Sequence, residues 1–165
     1  MRNTILILAI LTIGICSCTS ISKIPNEQKL QEKFLFKELI ENDLYLGLSK
    51  ENLLLQRPKA EANSDGFNFR EIYIDTAFSQ RFNTLIYYID RDGTKPVYEF
   101  ILLVDNGLDA TKIAKEKYGE PNHKNEWRFK VEDTKLPFEI AVWTFKNKII
   151  IAGAIPGTEW EDGVE

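Results

Sequence analysis

The chain has 165 residues, 21 basic against 25 acidic side chains, a formal net charge of −4 and 44% hydrophobic residues. Ten Phe, six Tyr and three Trp give it too much apolar surface to stay unfolded, which excludes low-complexity disorder. The acidic balance repels phosphate backbones and sets aside general nucleic-acid binding, while the length suits one domain with a sizeable core.

The chain opens with Met1-Arg2-Asn3-Thr4, an apolar run over 5–15, and then Cys16-Ser17-Cys18. A cation ahead of a short apolar stretch is the layout of a secretory signal. As a helix the run covers only roughly 16 Å at about 1.5 Å per residue. A hydrocarbon core is about 30 Å thick, so a permanent transmembrane helix is not expected. Ile15-Cys16-Ser17-Cys18 resembles the lipobox of bacterial lipoproteins, with an aliphatic residue at −3, a small one at −1 and then the modified cysteine. The resemblance makes 1–17 a lipoprotein signal peptide and Cys18 the lipid attachment site. The alternative, Cys16, places bulky Ile15 where the processing peptidase takes a small side chain. The resemblance implies an acyl anchor to the membrane. Thr19-Ser20 carries no acidic retention residue, and by the sorting rule of many Gram-negative lipoproteins the resemblance then implies the outer membrane of the cell envelope. With Cys18 acylated no other cysteine follows it, so no disulfide, thiol catalysis or cysteine zinc site is expected.

Residues 18–26 read as a lipidated tether. Asn26 suits the N-cap of a helix over 27–41, with Leu30, Phe34, Leu35, Leu39 and Ile40 on one face. Next, Ser49 caps a short helix over 50–56, stopped by Pro58, and 61–66 reads as a polar loop. Strands are expected over 69–75, 84–89 and 97–104. The turn cluster Asp90-Arg91-Asp92-Gly93-Thr94-Lys95 makes the last two a hairpin. Strand 97–104 is apolar on both faces towards its end and should be central.

The arrangement then recurs. Gly107-Leu108-Asp109 stands as Gly47-Leu48-Ser49 stood, Asp109 caps a helix to about Lys117, and Gly119 and Pro121 end it. Strands follow over 127–131, 138–145 and 148–155, the last two joined at Lys146-Asn147. The expected fold is α+β: an antiparallel sheet of about six strands from two helix-plus-three-strand units (about 45–106 and 107–156), helices on one face, and an extra N-terminal helix. One domain would span 27–158, and 159–165 an acidic tail.

Gly47-Leu48-Ser49-Lys50-Glu51-Asn52-Leu53 resembles the helix start of small outer-membrane lipoproteins of the BamE/SmpA type, and Tyr118-Gly119-Glu120-Pro121 resembles their helix ending. Gln56-Arg57-Pro58 departs from that ending by lacking the glycine. A tandem of such units is similar to the fold of the β-lactamase inhibitory protein. The resemblance implies an envelope location and says little about activity.

Leu85 to Thr94, an apolar strand followed by Asp90-Arg91-Asp92-Gly93-Thr94, resembles motif I of haloacid-dehalogenase-type phosphatases. There Asp90 would be the nucleophile and Asp92 the acid/base, with Mg²⁺. That family also needs a doubly wound parallel sheet and a later acidic pair, and the pair Glu161-Asp162 is in the tail. Asp-Gly between apolar runs is also the ordinary turn dipeptide. Calcium fails on spacing, because Ile101 stands where an EF-hand loop needs glutamate. His123 is the one histidine and stands in a loop. Trp143 alternates with Ala141 and Phe145 on one strand face, with Phe138, Ile140 and Val142 on the other. One face should meet the helices, and the other a second layer of this chain or a partner. The leading expectation is a non-catalytic protein-binding or scaffolding domain, with an envelope protein as partner and no cofactor, metal or catalytic residue. The alternatives are a lipid or glycan binder using an aromatic cleft, and a Mg²⁺-dependent phosphohydrolase using Asp90 and Asp92.

Overall fold

A computed structural model describes residues 44–76, 81–134 and 136–164. The signal peptide, Cys18, the tether and the helix expected over 27–41 lie outside the described residues.

Two helices begin with the same local device. Leu48 N–H donates to Tyr45 O at 3.2 Å and Leu108 N–H to Asp105 O at 3.1 Å, while Gly47 and Gly107 hold φ at 89° and 90°. Glycine reaches that left-handed turn position without steric cost. The turn delivers Ser49 and Asp109 in extended backbone, where their side chains accept from otherwise unpaired N–H groups: Ser49 from Asn52, Asp109 from Thr111 and Lys112. Helix α1 (Lys50–Gln56) and helix α2 (Ala110–Tyr118) follow. Pro58 stands just beyond the C-cap of α1 at Arg57, and α2 closes at Gly119.

The strands are β1 (Glu61–Asn63), β2 (Arg70–Thr76), β3 (Phe82–Asp90), β4 (Val97–Val104), β5 (Glu126–Phe129), β6 (Ile140–Phe145) and β7 (Lys148–Gly153). A short helix, α3 (Val131–Thr134), stands between β5 and β6. Among the described residues the strands form one seven-stranded sheet in the order β1-β2-β3-β4-β7-β6-β5, with every neighbouring pair antiparallel. The architecture is α+β. The fourth place belongs to β4, which accounts for its near-complete burial. Both expected hairpins are present, and Lys146 turns the second with φ at 55°.

Some strand bounds differ from the sequence expectation. Glu61–Asn63 pairs with β2 as an edge strand, so the sheet has seven strands rather than about six. All three of its residues are exposed, leaving no hydrophobic alternation to mark them. The strand expected over 127–131 stops at Phe129, because the Asp133 carboxylate accepts from Lys130 N–H and turns the chain into α3. Strand β6 begins at Ile140 rather than at residue 138.

Alternation sends Leu85, Tyr87 and Ile89 of β3, Phe100 and Leu102 of β4, and Ile149 and Ile151 of β7 into one cluster. Leu53 of α1 and Ile113 and Ala114 of α2 join it. Leu44, Leu46 and Leu48 fill its margin, and Gly153 makes room for Leu46 and Phe138. A Cβ on Gly153 would stand 3.1 Å from Phe138 Cε2 and 3.2 Å from Leu46 Cδ1. Gly153→Val is therefore expected to cost about 1–3 kcal/mol by overpacking, read as a lower urea midpoint at unchanged slope.

Candidate functional site

The opposite sheet face carries the other half of each alternation. Ile74, Ile86, Ile101, Ile150 and Trp143 pair in register across five strands, giving a continuous apolar row. Beside it run Ile72, Tyr88, Glu99, Ala152 and Ala141. A β-bulge sets this second row: Ile89 pairs with Val97 while Tyr88 pairs with Glu99, so Tyr98 is the extra residue. Tyr98 consequently stands beside Tyr88, with ring centroids 6.4 Å apart.

The end of the chain lies on this row. Trp160 meets Trp143 edge-on at 6.2 Å, and Val164 packs on Ala141 and Ala152. The acidic tail expected over 159–165 therefore supplies part of a second layer through Trp160 and Val164. Trp160 Nε1–H donates to Glu99 Oε2 at 2.8 Å, and the Glu159 carboxylate accepts from Tyr98 Oη–H at 2.8 Å and from Arg70 Nη1–H at 2.9 Å.

Arg70 organises the near corner. Its guanidinium lies 4.4 Å from the Tyr88 ring centroid, 5.0 Å from that of Phe67 and 5.2 Å from that of Phe69, and it donates to Asp65 Oδ2 at 2.7 Å. Burial opposes its charge, but the hydrogen bonds to Asp65 and Tyr98 and the charge of Glu159 outweigh burial and raise its pKa. Phe67 and Phe69, 5.5 Å apart, remain 53% and 42% exposed. The result is an aromatic platform braced from beneath by a cation.

Glu99 is the anomaly of the face. It is 5% exposed on the central strand, and burial pushes its carboxyl up to about 7. The Trp160 bond opposes that rise, Glu159 adds to it, and Arg70 opposes it.

Asp90 and Asp92 are held by turn geometry. Asp90 is buried at the end of β3, its carboxylate accepts Asp92 N–H at 2.7 Å, and Lys95 N–H donates to Asp92 O at 3.1 Å. The antiparallel sheet around them departs from the doubly wound parallel sheet that the phosphatase resemblance implies. Among the described residues no group of three or more His, Cys, Asp or Glu is placed to hold a metal ion. His123 is exposed and forms a backbone bridge with Glu126.

A cleft of about 510 Å³ opens between α2, the loop after it, and strands β5 and β6, lined by Thr111, Lys115, Glu120, Lys124, Trp127 and Thr144 among others. Its polar groups are largely engaged within the chain. Lys115 pairs with Glu120 at 2.7 Å, the Thr111 and Thr144 hydroxyls share a bond at 2.9 Å, and Trp127 Nε1–H donates to Gly119 O. The Trp127 ring is buried, so it offers no stacking face of the kind a sugar-binding cleft would use.

Compared with protein-family models, with curated proteins and with solved structures, the chain shows no match in any of the three. The residues themselves carry the functional argument.

Proposed function

We propose that this is a lipid-anchored protein of the cell envelope, held at the outer membrane through Cys18, whose domain binds a protein partner and catalyses no reaction. The observation that carries the binding assignment is the platform of Phe67 and Phe69 over Arg70. Two large rings stay in water while a charged side chain fixes their position, so little side-chain entropy is left to lose on docking. Aromatic and arginine side chains dominate the binding energy of protein interfaces. The lipobox resemblance of Ile15-Cys16-Ser17-Cys18 supports the location.

We further read the domain as two helix-plus-strand units related by duplication. Supporting this are the matched turns at Gly47 and Gly107, the matched caps at Ser49 and Asp109, and a strand order in which β2-β3-β4 meets β7-β6-β5 at the third strand of each unit.

Mild crosslinking of cells and purification of the full chain is expected to return one envelope protein reproducibly. Phe67→Ala combined with Phe69→Ala should weaken its capture by about tenfold or more without moving the thermal midpoint. Equal capture by the double variant, or no reproducible partner across growth conditions, overturns the assignment. So does Mg²⁺-dependent phosphatase activity that vanishes in Asp90→Asn.

A further inference from the structure

We propose that residues 154–164 are a pH-operated strap, closed over the sheet when Glu99 is protonated and released when Glu99 ionises. Ile155 packs against the helix-side core and roots the strap there; beyond it the strap is held at three places. Trp160 lies on Trp143 and hydrogen-bonds Glu99, Glu159 joins Arg70 and Tyr98, and Val164 covers Ala141 and Ala152. Its own fold is a string of turns: Thr158 N–H donates to Ile155 O, Glu161 N–H to Thr158 O and Gly163 N–H to Trp160 O. Among the described residues it belongs to no strand of the sheet, and Ala154 N–H donates to Glu139 O just ahead of β6, so the segment beyond Ile155 can lift without breaking the sheet.

The latch is the carboxyl on β4 beneath the indole. Facing it from the strap are Trp160 and the Glu159 carboxylate, from β2 Arg70, from β3 the Tyr88 phenol and from β4 the adjacent Tyr98; its partner on β7 is apolar Ala152. Arg70 cannot serve it fully, because Asp65 and Glu159 already share that cation. An ionised Glu99 under the closed strap keeps the Trp160 N–H bond but is cut off from water with a second carboxylate nearby, and burial outweighs that bond; lifting the strap gives it water.

The sign follows from linkage. The closed-state pKa, about 7, lies above the ordinary value of 4.5, so protonation favours closure. Lifting the strap gives Glu99 water and moves its pKa down from about 7 towards the ordinary value, so the advantage of the closed state is whole at low pH, shrinks as pH rises, and is gone above about 7. Opening exposes the strip of Trp143, Ala141 and Ala152 along strands β6 and β7.

Hydrogen exchange of the full chain, corrected for the intrinsic pH dependence of exchange, tests this. Peptides covering 156–164 are expected to lose protection by tenfold or more, up to about one hundredfold, between pH 4.5 and 7.5, while β4 amides stay protected. Glu99→Gln, neutral at every pH and still able to accept from Trp160, is expected to keep the strap protected throughout. A flat profile in the unmodified chain, the same transition in Glu99→Gln, or strap amides that exchange only together with β4 would each overturn the proposal.

Discussion

Trp127→Ala is expected to lower unfolding free energy by about 3–5 kcal/mol, against a total of roughly 5–15 kcal/mol for a domain of this kind. Trp127 is 1% exposed on β5, which among the described residues is an edge strand of the sheet beside β6. Its indole fills the space beside Tyr118 at 6.0 Å, and Tyr118 in turn meets Phe129 at 5.7 Å. The ring also donates Nε1–H to Gly119 O at 2.9 Å, tying the end of α2 to the sheet. Alanine empties the largest fully buried side chain among the described residues and leaves that carbonyl without the indole donor. Trp127→Phe separates the two effects: it keeps most of the volume and loses the bond, so about 1–2 kcal/mol is expected. Urea unfolding measures both. A loss below 1 kcal/mol in the alanine variant would mean that α2 and β5 are anchored elsewhere.

Legibility in the sequence followed how local each determinant is. The caps at Ser49 and Asp109 and the turn at Lys146-Asn147 act through neighbouring atoms, and the observed elements begin and end near where those residues require. Strand β4 stood out because an apolar run on both faces suits only the middle of a sheet. The alternation of Ala141, Trp143 and Phe145 against Phe138, Ile140 and Val142 also marked two different environments. The helix-face cluster takes Phe138, Ile140 and Val142, and the strap meets Ala141 and Trp143. What stayed illegible depends on distant partners. Arg70 and Glu159 meet across 89 positions, and nothing near either one marks the other. Glu99 left one trace, a lone charge within Val97-Tyr98-Glu99-Phe100, but its partner Trp160 is 61 positions away in a segment whose acidic composition suggested solvent. Strand β1 is recruited by the free edge of β2 rather than by its own side chains, so propensity could not mark it.

Cys18→Ala is expected to move the whole chain from the membrane fraction to the soluble fraction. The lipobox resemblance implies several acyl chains on the Cys18 sulfur, each buried methylene contributing about 0.8 kcal/mol. One chain gives marginal, reversible attachment, and two or more hold a protein stably. Among the described residues no helix is long and apolar enough to cross a membrane. Those residues therefore supply no helical span to substitute for the anchor, and a net charge of −4 gives the chain no electrostatic pull towards anionic lipid. Cys16→Ala should leave fractionation and palmitate labelling intact, because it keeps the small residue ahead of Cys18, whereas Cys18→Ala should abolish both. If Cys16→Ala releases the chain instead, processing occurs two residues earlier and Ile15 is tolerated at the cleavage position. If the unmodified chain is already soluble and takes up no palmitate, the anchor assignment fails. The platform at Phe67 and Phe69 would then need a partner that is not confined to a membrane.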